Sequence, residues 1–506
     1  MYFYSVSKKE LQEENKTLKT EVTVLKEENA QLKKMIFGAK RERFILDQNP
    51  MQSTLFDLEQ ITDQKVEEVE KVIIKKKKKT PRKNIQRNRF PESLKRKTTI
   101  LYPENIATEG LSQIGKEVTE LLGYRPASLF VKEIIRPRLA DKKDVDKGVF
   151  QAPIPPRIVP KGMVDESLLA EIINEKVQFH TPIHRFSKKL KQAGIDFISE
   201  NNLYNWFHTA AASLVPIYDL LVKDILSQDY IQGDETRMQV LKKNKPGSSH
   251  RGQMWAFMSP TIRAVAFNYE PTRSGKSANI ILDHFSGKLQ VDGYPVYETI
   301  GKRKDIELSY CMAHSRRKFY DAKDISPDIA NCVLEKVQVL YTLEEHCRAE
   351  KFNFQQRLYI RQEKAVPILK ELEKYLLEKT ADRAILPKSL IRKAIDYALP
   401  RWKGLSAYAY DGELEIDNNL VENTIRPIAL GRKNYMFAGS DEAAQHLAVL
   451  YSIIGTCLKN NVNAYSYLHW LLKKVAANKV TEDAMAWLPH RIEAGTLEAF
   501  ELEQNR

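Results

Sequence analysis

Three acidic positions carry residue types and surroundings suited to metal chemistry. Asp234 lies in "DYIQGDETRMQVL", at the end of an apolar-leaning run loosened by Gly233, and Asp292 lies in "LQVDGYPVY", with apolar residues before it and Gly293 after it. Two strands of one sheet that both end in Asp beside Gly bring two carboxylates together. At close range such groups repel, and one takes up a proton unless a cation lies between them. Hard divalent cations prefer carboxylate oxygens. With a third acid, two such ions clamp the attacking and leaving oxygens of a phosphodiester. The third acid belongs on a helix near the sheet edge, and "EIDNNLVENTIRP" offers Glu413, Glu415, Asp417 and Glu422. Asp417 or Asn418 can cap a helix that runs through Leu420, Val421 and Ile425 and closes at Pro427. That explains Asp417 as a cap and leaves Glu422 without a structural excuse.

The elements that must position these acids follow from the hydrophobic period. "DYIQGDETRMQVL", "GQMWAFMSP" and "IRAVAFNYEP" read as three successive strands, the last two joined by a short turn containing Pro260. "SGKSANIILDHFSG" reads as a helix, "KLQVDGYPVYETI" as a fourth strand and its exit, and "AHSRRKFYDAK" as the start of another helix. Residues 325–405 are helical in pattern, charged and poor in Gly. The order strand-Asp, strand-Asp, helical insertion, helix-Glu describes an α/β core, a ribonuclease H-like mixed sheet performing metal-assisted phosphoryl transfer.

Upstream, leucines at Leu11, Leu18, Leu25 and Leu32 recur every seventh residue, with Lys8, Asn15, Val22, Asn29 and Ile36 at the alternate core positions. Leu at d with Val22 and Ile36 at a favours a parallel two-stranded coiled coil, and buried Asn15 and Asn29 pin its register. Residues 11–36 are thus expected to make a homodimer. Between Lys71 and Lys97 stand thirteen Lys or Arg against one acid, Glu92, which supplies twelve of the net +14 charge. Such a block, with Lys75, Lys76, Lys77, Lys78, Lys79 and Arg82 at its centre, binds phosphates without sequence preference if a polyanion is present. Residues 101–160 carry short β-like runs punctuated by prolines. "PIHRFSKKLKQAG", a turn at Gly194, and a Ser-started helix bearing Tyr204 and Trp206 have the outline of a helix-turn-helix, or of plain helical packing with Trp206 in the core.

Composition excludes several classes. At 42% hydrophobic and 29% charged the chain buries a sizeable core. No apolar run approaches the roughly 20 residues of a membrane span, no secretory signal pattern opens the chain, and the reading is cytosolic. The four cysteines, Cys311, Cys332, Cys347 and Cys457, form no CxxC, which argues against a disulfide scaffold and against a cysteine-built zinc site in the N-terminal half. "RSGKSA" lacks the first Gly of a P-loop, since Glu270 stands where it is needed. Cys311 with His314, and His346 with Cys347, make no four-ligand zinc set by themselves.

Long segments of the chain resemble the insertion sequence 66 family of DDE transposases. They are the zipper followed by "MIFGAKRERF", then "PIPPRIVPKGMVDESLLAEII", "DETRMQVL", "LQVDGYPVYETI", "CMAHSRRKFYDA", "DNNLVENTIRPIALGRKNYMFAGS", "YLHWLLKKV" and "AWLPHRI". The resemblance implies a catalytic triad of Asp234, Asp292 and Glu422 holding two Mg²⁺ (or Mn²⁺) ions, and a helical insertion between the second Asp and the Glu. It implies DNA as partner, both element ends and target, and admits other proteins of the same element. The chain departs from the family at 101–160, where a cysteine-rich zinc-binding module is common and no cysteine stands, so a zinc-dependent DNA contact is not carried over.

The expected organisation is a coiled coil at 1–37, a basic linker at 38–100, a small β-rich module at 101–160 and a helical DNA-binding region at 161–227. A catalytic domain at 228–440 with its insertion at 325–405, and a helical C-terminal region at 441–506, complete it. Arg316, Arg317 and Lys318 after the second Asp, and Arg426, Arg432 and Lys433 after the Glu, are candidate phosphate contacts or ordinary solvated charge, and His314 is a candidate partner of a phosphate or a triad carboxylate. Two other readings are a catalytically idle coiled-coil DNA-binding dimer and a nuclease that cuts without joining.

Overall fold

The computed structural model describes residues 155–504 apart from 161, 243–246 and 274–280, together with residues 129 and 131 and the backbone of 138–140 and 149–151. Of the two compact units into which the chain divides, one spans Ala39–Arg136 and the other includes Pro137–Arg506. The coiled coil, the basic block from Lys75 to Arg82 and most of the 101–160 module lie outside the described residues. Within that module, β1 (Arg138–Ala140) pairs antiparallel with β2 (Val149–Gln151).

Four helices precede the sheet: α1 (Glu166–Val177), α2 (Ile183–Gln192), α3 (Glu200–Ser213) and α4 (Val215–Leu226). Asp165 caps α1 and Ser199 caps α3 through their side chains. The turn between α2 and α3 passes through Gly194 at φ +84°, a conformation that favours glycine. Trp206 is buried in the core and Tyr204 is exposed, so the tryptophan of the helix-turn-helix outline serves packing.

The sheet begins with β3 (Tyr230–Leu241), β4 (Ser249–Ser259) and β5 (Ala264–Glu270), an antiparallel meander, and continues with β6 (Gly287–Val291), α5 (Pro295–Ile300) and β7 (Ile306–Tyr310). Strand order is β5-β4-β3-β6-β7, with β3, β6 and β7 parallel. Two expectations are corrected here. Asp234 does not end its strand; it is paired with Ala256 inside the β3–β4 hairpin, and what ends near it is the parallel ladder to β6, whose last pair is Gln232↔Gln290. The fifth strand, β7, was not anticipated: its five residues, "IELSY", are too few for a clear period. The first half of the expected helix at "SGKSANIILDHFSG" falls outside the described residues.

Helix α6 (Met312–Ala322) then opens the insertion, which continues through α7 (Pro327–Ala349), α8 (Phe354–Ile360), a π-helical turn (Arg361–Ala365), α9 (Val366–Ala381), α10 (Leu390–Ala398) and α11 (Trp402–Ser406). It closes an apolar core of its own around Val333, Leu340, Leu369, Leu372, Ile395 and Leu405. Inside it Arg361 holds Glu344 through two bonds, 2.7 and 2.6 Å, with both side chains 1% exposed. A planar guanidinium can satisfy a buried carboxylate in this fork geometry.

The chain returns to the sheet in α12 (Asn419–Tyr435) and ends in α13 (Asp441–Lys459), α14 (Ala464–Ala477) and α15 (Thr496–Gln504). Helix α12 overturns the expected stop at Pro427. The proline lies inside the helix. It removes one backbone donor, but Val421, Ile425, Ile428 and Tyr435 bury the apolar face in the main core, and packing outweighs the lost bond. Helix α13 covers the edge strand β5: Ser452 Oγ accepts the Phe267 N–H at 2.7 Å and Thr456 Oγ1 accepts the Val265 N–H at 3.1 Å. Two of the edge amides are thereby satisfied. No helix among the described residues is long and apolar enough to cross a membrane.

Candidate active site

Three elements meet at one end of the β3–β6 ladder. Asp234 stands on β3, Asp292 directly follows β6, and Glu422 lies in the first turn of α12. Asp234 is partly buried, and its carboxyl is pushed well above the usual carboxylate range, first by burial and then by Glu422, Glu235 and Asp292, against one bond from the Glu235 N–H. The Glu235 N–H donates to Asp234 Oδ1 at 2.8 Å. The Tyr294 N–H donates to Asp292 Oδ1 at 2.8 Å, and the Tyr397 hydroxyl donates to the Asp292 carbonyl. Gly293 makes the turn after Asp292 at φ +88°, and a Cβ there would stand 2.8 Å from the Tyr397 hydroxyl and 3.0 Å from Arg401 Nε.

A fourth acid, Glu235, is 4% exposed at its side chain. It pairs with Arg273 and accepts a bond from the Tyr297 hydroxyl at 3.1 Å. Burial raises its carboxyl first, Arg273 opposes that, and Asp292 adds to it. The Arg273 guanidinium lies 3.7 Å from the centre of the Tyr294 ring, so it is stacked as well as paired.

Helix α12 is fastened along β3 at three levels. Gln232 Oε1 accepts the Val421 N–H at 3.1 Å. Arg432 donates to Thr236 Oγ1 at 2.9 Å and to the Arg237 carbonyl at 2.5 Å. Past the helix, the Ala438 N–H donates to the Gln239 carbonyl at 2.8 Å, and the Leu241 N–H to the Ala438 carbonyl at 3.0 Å. Arg432, a candidate DNA contact by sequence, directs one guanidinium nitrogen, Nη1, at β3.

The remaining candidates separate by place. Asp417 does serve the start of α12, accepting from the Asn419 N–H at 3.1 Å, but it also takes the Tyr341 hydroxyl at 2.9 Å from the insertion. Glu415 pairs with Arg357 at 3.0 Å and Glu413 accepts from Thr261 at 2.7 Å. Neither competes for the site. Arg316, Arg317 and Lys318 lie on α6, and the Lys318 ammonium sits 4.5 Å from the centre of the Tyr397 ring. Arg426 and Lys433 lie on α12, the former on the wall of a 220 Å³ cavity behind the helix.

His314 Nδ1 stands 3.7 Å from Glu422 Oε1, and Cys311, His314 and Glu422 bring one ligand atom each within 4.8 Å of one another. The Cys311 thiol is wholly buried and held well above its usual range by burial, Asp417 and Glu422. Protonated sulfur is a poor metal ligand. The carboxylates of Asp234, Asp292 and Glu422 are hard oxygen donors and suit a divalent ion of the Mg²⁺ kind.

Sequence reasoning passed over Gln232 and Gln290, both buried and hydrogen-bonded to each other at 2.8 Å. A signal existed: Gln232-Gly-Asp234 and Gln290-Val-Asp292 repeat one spacing, and residues two apart on a strand share a face.

A family model described as "Transposase IS66 family" matches residues 161–446, and one described as "Transposase C of IS166 homeodomain" matches residues 24–99. The chain is similar to the uncharacterized protein y4jD of Sinorhizobium fredii (strain NBRC 101917 / NGR234), 33% identical over 413 residues that cover 78% of this chain and 79% of the relative. It is also similar to the uncharacterized protein y4hP of the same strain, 29% identical over 447 residues, 82% of this chain and 79% of the relative. No solved structure matches the chain.

Proposed function

The chain belongs to the IS66 transposase family, and on that premise we propose that it cuts and joins DNA at the ends of a mobile element, with Asp234, Asp292 and Glu422 as its catalytic triad. The carrying observation is electrostatic: the Asp234 carboxyl is raised first by burial and then by neighbouring acids, among them Glu422 from a helix and Asp292 from just past a second strand. Like charges gathered at a sheet end call for a cation between them. A strand order β5-β4-β3-β6-β7, antiparallel on one side and parallel on the other, supports a ribonuclease H-like reading of the core.

The three carboxylates would hold two Mg²⁺ (or Mn²⁺) ions. Bound there, such ions would supply Lewis acidity, toward an attacking water and toward the charge that develops on the phosphodiester oxygens. Asp234 must surrender any proton it carries for its oxygens to serve as ligands. Hydrolysis frees a 3′-OH, which attacks target DNA in a second in-line displacement at the same site. Arg316 and Arg317 on α6, and Lys75–Lys79 with Arg82 in the linker, supply phosphate contacts. Residues 11–36 supply the dimer.

The test compares wild type with Asp234→Asn, Asp292→Asn and Glu422→Gln. Each variant should still retard element-end DNA in a mobility-shift assay, while Mg²⁺-dependent cleavage falls by at least about a hundredfold. Unimpaired cleavage by any of them sinks the triad. Wild type that binds without cutting indicates an idle binding dimer, and wild type that cuts without joining a pre-cut end indicates a nuclease.

A further inference from the structure

We propose that Gln232 is a positioning residue for the carboxylate site: its side-chain amide sets the first turn of α12, and with it Glu422, against the strand that carries Asp234. The inference rests on the triad reading above. Residue 422 returns to the sheet only after the whole insertion has intervened, so something must fix where α12 begins.

The N-cap residue Asn418 makes no side-chain capping bond, and Gln232 supplies one from another element by accepting the Val421 N–H at 3.1 Å. That amide, at the third position of the helix, also donates to the Asn418 carbonyl at 3.1 Å, so Gln232 shares a first-turn donor with the N-cap residue's backbone. The other end of the same side chain donates to the Asp417 carbonyl at 3.0 Å and to Gln290 Oε1 at 2.8 Å. The Tyr230 hydroxyl also donates to Gln290 Oε1, at 2.6 Å, and Gln290 in turn donates to the Glu415 carbonyl at 2.7 Å. Tyr230, Gln232 and Gln290 are each no more than 1% exposed.

One amide thus grips residues 417 and 421 on either side of the helix start, while its strand neighbour grips residue 415. The task needs a donor and an acceptor on one side chain, which Gln provides and neither a carboxylate nor an apolar group does. Gln232 and Gln290 precede the two aspartates by the same two residues. The latch therefore joins both aspartate-bearing strands to the peptide that carries Glu422. Removing it lets the first turn of α12 shift while the aspartates stay in place.

The test is a calorimetric Mn²⁺ titration of the full chain without DNA, run as a double-mutant cycle of Gln232→Met with Glu422→Gln. Glu422→Gln alone should weaken Mn²⁺ binding; if it does not, the triad reading fails and takes this proposal with it. Where it does, Gln232→Met in the wild-type background should weaken binding by roughly tenfold, the lower end of the range for groups that orient metal ligands. In the Glu422→Gln background it should change binding by less than about twofold, because the residue acts through Glu422. Equal losses in both backgrounds, or no loss in either, overturn the proposal. If Gln232→Met does not fold, Gln290→Met replaces it in the same cycle with the same expectations. Failure of both variants to fold makes the pair core residues and overturns it too.

Discussion

Asp234 and Asp292 each stand two residues beyond Gln232 and Gln290, the last matched pair of the parallel ladder between β3 and β6. The two aspartates thus stand at one level, Asp234 still within β3 and Asp292 just past β6, and their separation of 58 residues is the register of the ladder itself, as Tyr230↔Lys288 and Ile231↔Leu289 repeat it. A slip of one residue would send one aspartate to the opposite face.

The disturbed carboxyl of Asp234 gives a pH signature. Its pKa is raised on folding, so between the ordinary carboxylate value and the raised native value the native state binds the extra proton. Stability of the metal-free protein therefore falls as pH rises through that window and is unpenalised below it. Asp234→Asn should flatten this slope and raise the metal-free melting temperature at neutral pH by about 2 °C, corresponding to roughly 1 kcal/mol. Thermal unfolding from pH 4 to pH 8 in EDTA checks it, and an unchanged slope would refute the electrostatic account.

Metal binding carries the complementary sign. A cation displaces the proton, so Mn²⁺ affinity should decline as pH is lowered from 8 toward 5, with protons released on binding. Calorimetry in buffers of different ionisation enthalpy measures that release. A binding constant independent of pH contradicts a protonated Asp234.

Gly293 holds the turn after Asp292 at φ +88°, with the Tyr397 hydroxyl where a Cβ would go. Gly293→Ala should cost about 1–2 kcal/mol of stability. It should also reduce cleavage more than DNA binding, because it displaces Asp292 and not the basic surface. Wild-type cleavage by this variant would mean the turn tolerates the methyl group.

Arg432 distinguishes anchoring from DNA contact. Its bonds to Thr236 and to the Arg237 carbonyl lead to the expectation that Arg432→Ala destabilises the fold by about 1.5 kcal/mol. The salt dependence of DNA binding should stay unchanged. By contrast, replacing Lys75–Lys79 with Ser should leave melting unaltered and lower the salt slope of binding by about four. A reversed pattern, stable Arg432→Ala with a reduced slope, would restore Arg432 to the DNA surface.

Much of the arrangement was legible because it depends on periodicity and charge. The two strand aspartates, the helix bearing Glu422 and the long helical insertion all leave local marks. What was not legible depends on partners distant in sequence. Pro427 is a helix breaker by local rules, and only burial of Val421, Ile428 and Tyr435 carries the helix past it. Gln232 on a half-polar strand looks like a solvated position until Gln290 and Val421 arrive beside it. Glu235 adjoins Asp234 in sequence, yet its role as an Arg273 and Tyr297 partner emerges only in three dimensions.

The bond from Val421 to Gln232 spans 189 residues of chain. Loop closure over that distance is made easier when the intervening segment has already condensed around its own core. During synthesis the β3–β6 ladder can form early, but the third carboxylate reaches it only after the insertion has been made and folded. On the triad reading, competence therefore comes late in the life of the nascent chain. On that same reading, a polypeptide stalled before residue 422 carries both aspartates in register and is still inert.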